Sequence, residues 1–183
     1  MLPEPKITDK HRESAEAEIR EKQKPVDYDT KEYPVEILVQ KYTDGREDDT
    51  NELFIPDYQR EIAWDETRQS KFIESVLLGL PIPYIFVADI YDEENDLGRL
   101  EIVDGTQRIR SLTRFLNNEL TLQKLEKLEK LNNFTFADLP LARQRRFKRS
   151  THRICERSTV RQIMTSTLFQ DFKELTKEVN KYG

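Results

Sequence analysis

The chain has 183 residues, a length that predicts one main folded domain with appendages. Hydrophobic and charged residues each make up 36% of the sequence, and the formal net charge is −5. No stretch approaches the roughly 18 apolar residues of a membrane span, and the first ten residues lack the apolar core of a signal peptide. A single cysteine, Cys155, excludes an internal disulfide and, with only two histidines, a zinc cluster. We therefore expect a cytoplasmic protein with no membrane partner.

The chain divides into three predicted segments. Residues 1–32 mix acidic and basic side chains with almost no large apolar ones, which predicts a mobile polar arm in which residues 9–24 form a polar helix. Residues 33–156 contain the apolar runs of a folded domain. Residues 157–183 predict a C-terminal helical extension.

The first half of the domain predicts a helix or strand at residues 35–42, a short strand at residues 53–56, and then a longer helix. Asp65 is of a residue type that caps helix N-termini, and Gly79 is placed to end this helix. Between them apolar residues recur every three or four positions, which predicts one buried face.

A pair of strands and further helices follow. Residues 84–90 form an apolar run typical of a buried strand, and residues 99–103 form its partner. For the acidic residues 92–96 between them we favour a solvated turn over a metal site. Residues 123–131, with leucines three apart, predict a short surface helix. Cys155 is expected in the core, on a late strand. Together these elements predict an α+β fold with a small mixed sheet.

The motif Asp-Gly-Thr-Gln-Arg joins the second strand of this pair to the next helix. A strand–glycine–helix junction directs unpaired backbone N–H groups at an anion, and Gly105 lets a phosphate approach the backbone. Thr106 can donate a hydroxyl or cap the helix, Gln107 can orient a water, and Arg108 can neutralise phosphate charge. Asp104, the motif's one acid, is the candidate Mg²⁺ ligand or general base. The alternative is an ordinary Asp-Gly turn; the pattern of a P-loop is absent.

A second candidate group follows the short strand at residues 53–56. Tyr58, Gln59 and Arg60 leave the strand end, and Trp64 precedes the next helix, in a loop of the kind that reaches ligands. The aromatic side chains can stack on a base. The alternative is a surface loop whose aromatic residues cover the core and whose arginine pairs with a neighbouring acid.

Residues 139–162 are strongly basic, with eight lysines or arginines against one glutamate. This favours a nucleic-acid partner, with a solvated helical face as the alternative. His152, within the window, is interpreted as a nucleic-acid contact or a surface residue. The candidate DNA contacts are Arg143, Arg145, Arg146, Lys148, Arg149 and Arg153.

Four blocks, at residues 55–64, 72–75, 79–83 and 103–108, occur in the order found in a known family. Together they resemble the N-terminal domain of the GmrSD-type family of modification-dependent restriction and phage-defence systems. The resemblance implies a ParB/sulfiredoxin-like fold that binds nucleotide or DNA. In that family, the Asp-Gly-Gln-Gln-Arg block is associated with nucleoside-triphosphate binding and hydrolysis, and the resemblance implies the same role for the corresponding block here. Thr106 departs from the glutamine usual at its position.

The leading hypothesis is therefore a nucleotide-binding sensor domain of a DNA restriction or phage-defence system, for which Mg²⁺-dependent triphosphate hydrolysis is left open as an activity. The candidate catalytic residues are Asp104, Gln107 and Arg108. The candidate nucleotide contacts are Tyr58, Gln59, Arg60, Gly105, Thr106 and Arg108. No His-Asn-His nuclease motif occurs, so we do not expect this chain alone to cleave DNA, and a nuclease subunit is a candidate partner. The alternatives are a non-catalytic DNA-binding module and a regulatory partner subunit.

Overall fold

Five helices and five strands are present in the computed structural model, which describes residues 7–22, 28–56, 64–92 and 97–157. The helices are α1 (Asp9–Lys22), α2 (Val35–Thr43), α3 (Glu66–Leu78), α4 (Thr106–Leu116) and α5 (Leu141–Arg149). The strands are β1 (Tyr28–Pro34), β2 (Leu53–Phe54), β3 (Ile85–Asp92), β4 (Leu97–Asp104) and β5 (Thr151–Arg157). One turn of 3-10 helix spans Glu129–Leu131.

The strands form one open mixed sheet in the order β1-β5-β3-β4-β2. The central pair β3–β4 is antiparallel, with an irregularity in register between Phe86 and Val87. The outer neighbours β5 and β2 run parallel to β3 and β4 respectively, and β1 closes the other edge antiparallel to β5. The α+β class with a small mixed sheet is confirmed.

The core lies on one face of this sheet. Alternate strand residues, among them Ile85, Ile102 and Ile154, are fully buried, as the two-residue period of a strand requires. They belong to the same apolar cluster as Ile109 and Leu112 of α4. Each such side chain contributes about 1.5–3 kcal/mol through burial. This packing holds α4 across the central strands.

Helix α3 begins and ends at the residues that the sequence predicts. The carboxylate of Asp65 accepts a hydrogen bond from the backbone N–H of Arg68 at 2.7 Å, and Gly79 ends the helix with a left-handed φ of 71°. The N–H of Leu80 then donates to the carbonyl of Ser75 at 3.0 Å. These two caps satisfy backbone groups that a helix leaves unpaired at its ends.

The predicted surface helix at residues 123–131 is wrong. Apart from the 3-10 turn the segment is irregular, because Leu122 and Leu125 are both buried and leucines spaced by three drift around a regular helix. The buried carboxylate of Glu74, on α3, replaces helical hydrogen bonds by accepting from the backbone N–H groups of Lys127 and Leu128, each at 2.7 Å.

The N-terminal part contains more regular structure than its composition suggests. Helix α1 is the polar helix that the sequence predicts, and its described side chains are exposed. Strand β1 begins at Tyr28, so it crosses the predicted boundary between the arm and the domain. Its polar residues give no alternating apolar signal because β1 lies at the edge of the sheet.

Several predictions fall outside the described residues: the helical extension after Arg157 and most of the acidic turn between β3 and β4. Among the described helices, none combines the length and apolar character needed to cross a membrane.

Candidate functional site

The junction between β4 and α4 has the geometry that its sequence predicts. Gly105 lies between the last strand residue and the first helical residue, with a left-handed φ of 112°. A Cβ atom at this position would lie 2.9 Å from Cγ1 of Ile85, so both the backbone conformation and the close approach of β3 require glycine. Gly105 is the N-cap of α4, and Thr106 is the first helical residue instead of the cap. Because its N-cap residue is a glycine, α4 has no capping side chain at that position.

The guanidinium of Arg108 is buried beneath this junction. Only 8% of the residue is exposed. Its Nη1 donates to the carbonyls of Pro83 at 2.6 Å and Tyr84 at 3.1 Å, and its Nη2 donates to Oδ2 of Asp104 at 2.5 Å. Burial lowers the pKa of Arg108, and the charge of Asp104 acts in the opposite direction. Arg108 therefore links the segment just before β3 to the end of β4 through hydrogen bonds.

Asp104 offers one carboxylate oxygen to a ligand. Its side chain is 31% exposed, and Oδ2 is occupied by Arg108. Oδ1 has no hydrogen-bond partner among the described residues. The described residues contain no group of three or more potential metal-ligating side chains. A Mg²⁺ ion at Asp104 would therefore take its other ligands from phosphate and water, as Mg²⁺ commonly does.

Gln107 connects the junction to Trp64, the first described residue after the second candidate group. Its Oε1 accepts a hydrogen bond from the backbone N–H of Trp64 at 2.9 Å. The carbonyl of Trp64 accepts from Gln69 at 2.7 Å, and Gln69 in turn accepts from Arg114 of α4 at 3.0 Å. The end of the loop is thereby fixed to both α3 and α4. The candidate nucleotide contacts Tyr58, Gln59 and Arg60 lie outside the described residues and stay predictions.

His152 is a buried residue, and its interpretation as a nucleic-acid contact or a surface residue is wrong. The residue is 4% exposed and packs edge-on against Phe72, with ring centroids 6.4 Å apart. Neither ring nitrogen has a hydrogen-bond partner of normal geometry among the described residues. Burial, aided by the charge of Arg108, lowers the pKa of His152 to about 4. Its place on β5, between exposed Thr151 and Arg153, is the signal that could have identified it.

The candidate DNA contacts fall into two groups. Five of them lie on α5, are exposed, and form no ion pair within the described residues: Arg143, Arg145, Arg146, Lys148 and Arg149. The sixth, Arg153, lies on β5. Its Nε donates to Glu32 of β1 at 2.6 Å, and its guanidinium lies over the ring of Tyr84. The α5 side chains therefore form a surface apart from Arg153.

Residues 35–181 match the family described as GmrSD restriction endonuclease, N-terminal domain. The chain belongs to this family. The match confirms the resemblance seen in the four sequence blocks and assigns the chain to a restriction or phage-defence type of system. Neither a search of curated proteins nor one of solved structures found a match.

The neutral, buried state of His152 predicts a loss of stability in acid. Since the folded state holds this ring at a pKa of about 4 against 6.5 normally, the unfolded chain binds more protons between these pH values. The free energy of unfolding should therefore fall as pH falls through this window, by about 3 kcal/mol at most from this residue. Urea unfolding measured from pH 7.5 to pH 4 tests this.

A matched pair of variants isolates the contribution of this histidine. His152→Leu removes the titration and should flatten the pH dependence. His11→Leu changes an exposed histidine and should leave it unchanged. An equally steep loss of stability in His152→Leu and in the wild type would show that the buried ring is not the cause.

Proposed function

We propose that the β4–α4 junction binds the phosphates of a nucleoside triphosphate, so that the chain is a nucleotide-binding sensor domain of a restriction system. The observation that carries this proposal is the start of α4. A glycine in left-handed conformation, which has no side chain to cap the helix, leads into the N-terminus of α4. Such an N-terminus carries a partial positive charge of about half a unit and presents N–H donors to an anion.

The proposed role of Asp104 is that its carboxylate would hold a Mg²⁺ ion for the bound phosphates. Support comes from the Oδ1 atom, which has no hydrogen-bond partner in the described part of the chain, and from the partial exposure of the carboxylate. Arg108 fixes the orientation of this carboxylate through Oδ2. A Mg²⁺ ion neutralises phosphate charge during phosphoryl transfer, and Gln107 is the candidate for orienting the attacking water.

Arg108 is proposed chiefly as a positioning residue. Both of its terminal nitrogens already donate within the protein, two bonds going to backbone carbonyls and one to Asp104. A role in shaping the phosphate site therefore needs no rearrangement. The sequence motif predicts that Arg108 contacts a phosphate directly. For that contact to form, one of its three hydrogen bonds within the protein must be replaced by a bond to the phosphate.

Calorimetric titration with ATP and GTP, each with and without Mg²⁺, tests the nucleotide proposal. The wild type should bind at least one triphosphate more tightly with Mg²⁺. Asp104→Asn should lose about tenfold or more of that Mg²⁺-dependent affinity because the amide carries no charge. Asp89→Asn, which alters an exposed carboxylate on β3, should bind like the wild type.

The melting temperature of each variant, measured without ligand, separates a binding defect from a folding defect. Asp104→Asn should also keep whatever affinity remains without Mg²⁺. The proposal fails if no triphosphate binds the folded wild type, or if Asp104→Asn retains the full effect of Mg²⁺.

A second function, contact with DNA, is favoured by the surface of α5. Five basic side chains occur within nine residues of helix, and none forms an ion pair in the described structure. Phosphate contacts of this kind release counterions, so they give affinity that depends steeply on salt and little on sequence. The DNA-binding module and the regulatory subunit that cooperates with a nuclease partner both remain compatible with such a surface.

Salt dependence of duplex DNA binding tests this second function. The logarithm of the association constant should fall linearly with the logarithm of salt concentration, and Arg145→Gln should reduce the magnitude of the slope by about 1. Lys130→Gln, which removes an exposed charge away from α5, should keep the wild-type slope. Equal slopes in all three proteins would exclude Arg145 as a phosphate contact, contrary to the proposal.

A further inference from the structure

A cleft lies between the C-terminal end of α3 and helix α5, and no residue of the β4–α4 junction lines it. We call it the α3–α5 cleft. Its volume is about 690 Å³, and it is open to solvent. Apolar side chains of Val76 and Leu77 line it from α3, and four arginines line it from α5: Arg143, Arg145, Arg146 and Arg149.

We propose that the α3–α5 cleft holds a single nucleotide unit, with the phosphate on the α5 side and the base against the apolar wall of α3. The inference rests on the proposed contact between α5 and DNA. The nucleotide would come from an unpaired position in a DNA strand or from free nucleotide. Both present a phosphate to the arginines and a base to the apolar wall, so the cleft would recognise either one.

The charge on the cleft wall favours a phosphate. The four charged residues that line the cleft are all arginines, and none is neutralised by a carboxylate among the described residues. An arginine fork matches two phosphate oxygens at once, and its planar face also stacks on bases. Lys148, the fifth basic residue of α5, does not line the cleft, so every charged side chain on this wall is a guanidinium.

The two sides of the cleft differ in polarity, which fixes the orientation of the ligand. The last carbonyls of α3 carry the partial negative charge of a helix C-terminus, so they repel a phosphate. Leu77 and Leu78, near that end, offer apolar surface instead. A ligand with one anionic and one flat apolar end satisfies both walls, and a nucleotide has this form.

The size of the cleft excludes a base-paired duplex as the occupant. Pockets that enclose small molecules usually measure about 300–1,000 Å³, and the α3–α5 cleft falls in that range. A duplex keeps its bases stacked inside and can present only its backbone to α5. An unpaired nucleotide can enter, with stacking worth about 1–3 kcal/mol per base in other proteins.

Fluorescence anisotropy with a short single-stranded oligonucleotide and its duplex form tests the proposal in the full chain. Ala142→Trp places a large side chain in the cleft without changing charge, whereas Leu141→Trp changes an exposed residue that does not line it. Ala142→Trp should weaken single-strand binding about tenfold and leave duplex binding nearly unchanged. Leu141→Trp should alter neither.

A second pair of variants tests the arginine wall. Arg146→Gln and Lys148→Gln each remove one charge from α5 and should weaken duplex binding equally, but Arg146→Gln should weaken single-strand binding more. Competition by a nucleoside monophosphate would identify free nucleotide as a source. If the oligonucleotide binds and the monophosphate does not compete, the DNA strand is the source of the nucleotide.

Each of the following results would overturn the inference. Equal effects of the two tryptophan variants on single-strand binding would show that the cleft is not occupied. Displacement of the oligonucleotide by polyglutamate of equal charge, at equal concentration, would make α5 a surface for acidic peptides. Failure of the wild type to bind either form of DNA would reject the DNA contact itself, whereas duplex binding with no selective effect of Ala142→Trp would reject only the cleft.

Discussion

The buried guanidinium of Arg108 is the interaction on which the geometry of the junction depends. It joins the carbonyls of Pro83 and Tyr84, just before β3, to the carboxylate of Asp104 at the end of β4. A buried charge is costly unless it is paired and hydrogen-bonded, and removing one partner of such a pair typically costs 3–5 kcal/mol. The hydrogen bonds of Arg108 therefore fix the distance between the segment before β3 and the start of α4. That distance leaves no room for a Cβ atom between residue 105 and the side chain of Ile85, so the position requires Gly105.

The same constraint shapes the surroundings of the junction. With Oδ2 of Asp104 committed to Arg108, Oδ1 is the atom left for a ligand in the described structure. His152 is packed close enough to Arg108 for the guanidinium charge to disfavour its protonation. An anion at the start of α4 would meet a scaffold whose charges are already oriented, which lowers the reorganisation that binding requires. The family membership places this scaffold in a restriction system.

The features that local chemistry determines could be predicted from the sequence. Asp65 and Gly79 bound α3 because capping is a property of the residue and its immediate neighbours. The Asp-Gly junction was predictable for the same reason, and so was the alternation of strands and helices that gives the α+β class.

Features that depend on distant partners could not be predicted in this way. The irregular path of residues 123–131 relies on hydrogen bonds from the chain to Glu74, about fifty residues earlier. Strand β1 has no apolar pattern because its partner β5 is reached only through the fold. The motif located Arg108 correctly, but its hydrogen bonds to the carbonyls before β3 depend on how α4 packs against the sheet. Long-range contacts of this kind decide whether a motif side chain faces a ligand or the protein.

Urea unfolding of Arg108→Lys tests most directly whether Arg108 holds the junction together. Lysine keeps the charge but cannot donate in the three directions that the guanidinium uses, so the free energy of unfolding should fall by about 2 kcal/mol or more. Arg68→Lys, at an exposed position of α3, should change it by about 0.5 kcal/mol or less. If Arg108→Lys were as stable as the wild type, the hydrogen bonds of Arg108 would not be holding the junction together. That result would contradict the account and would leave the arginine available for a ligand.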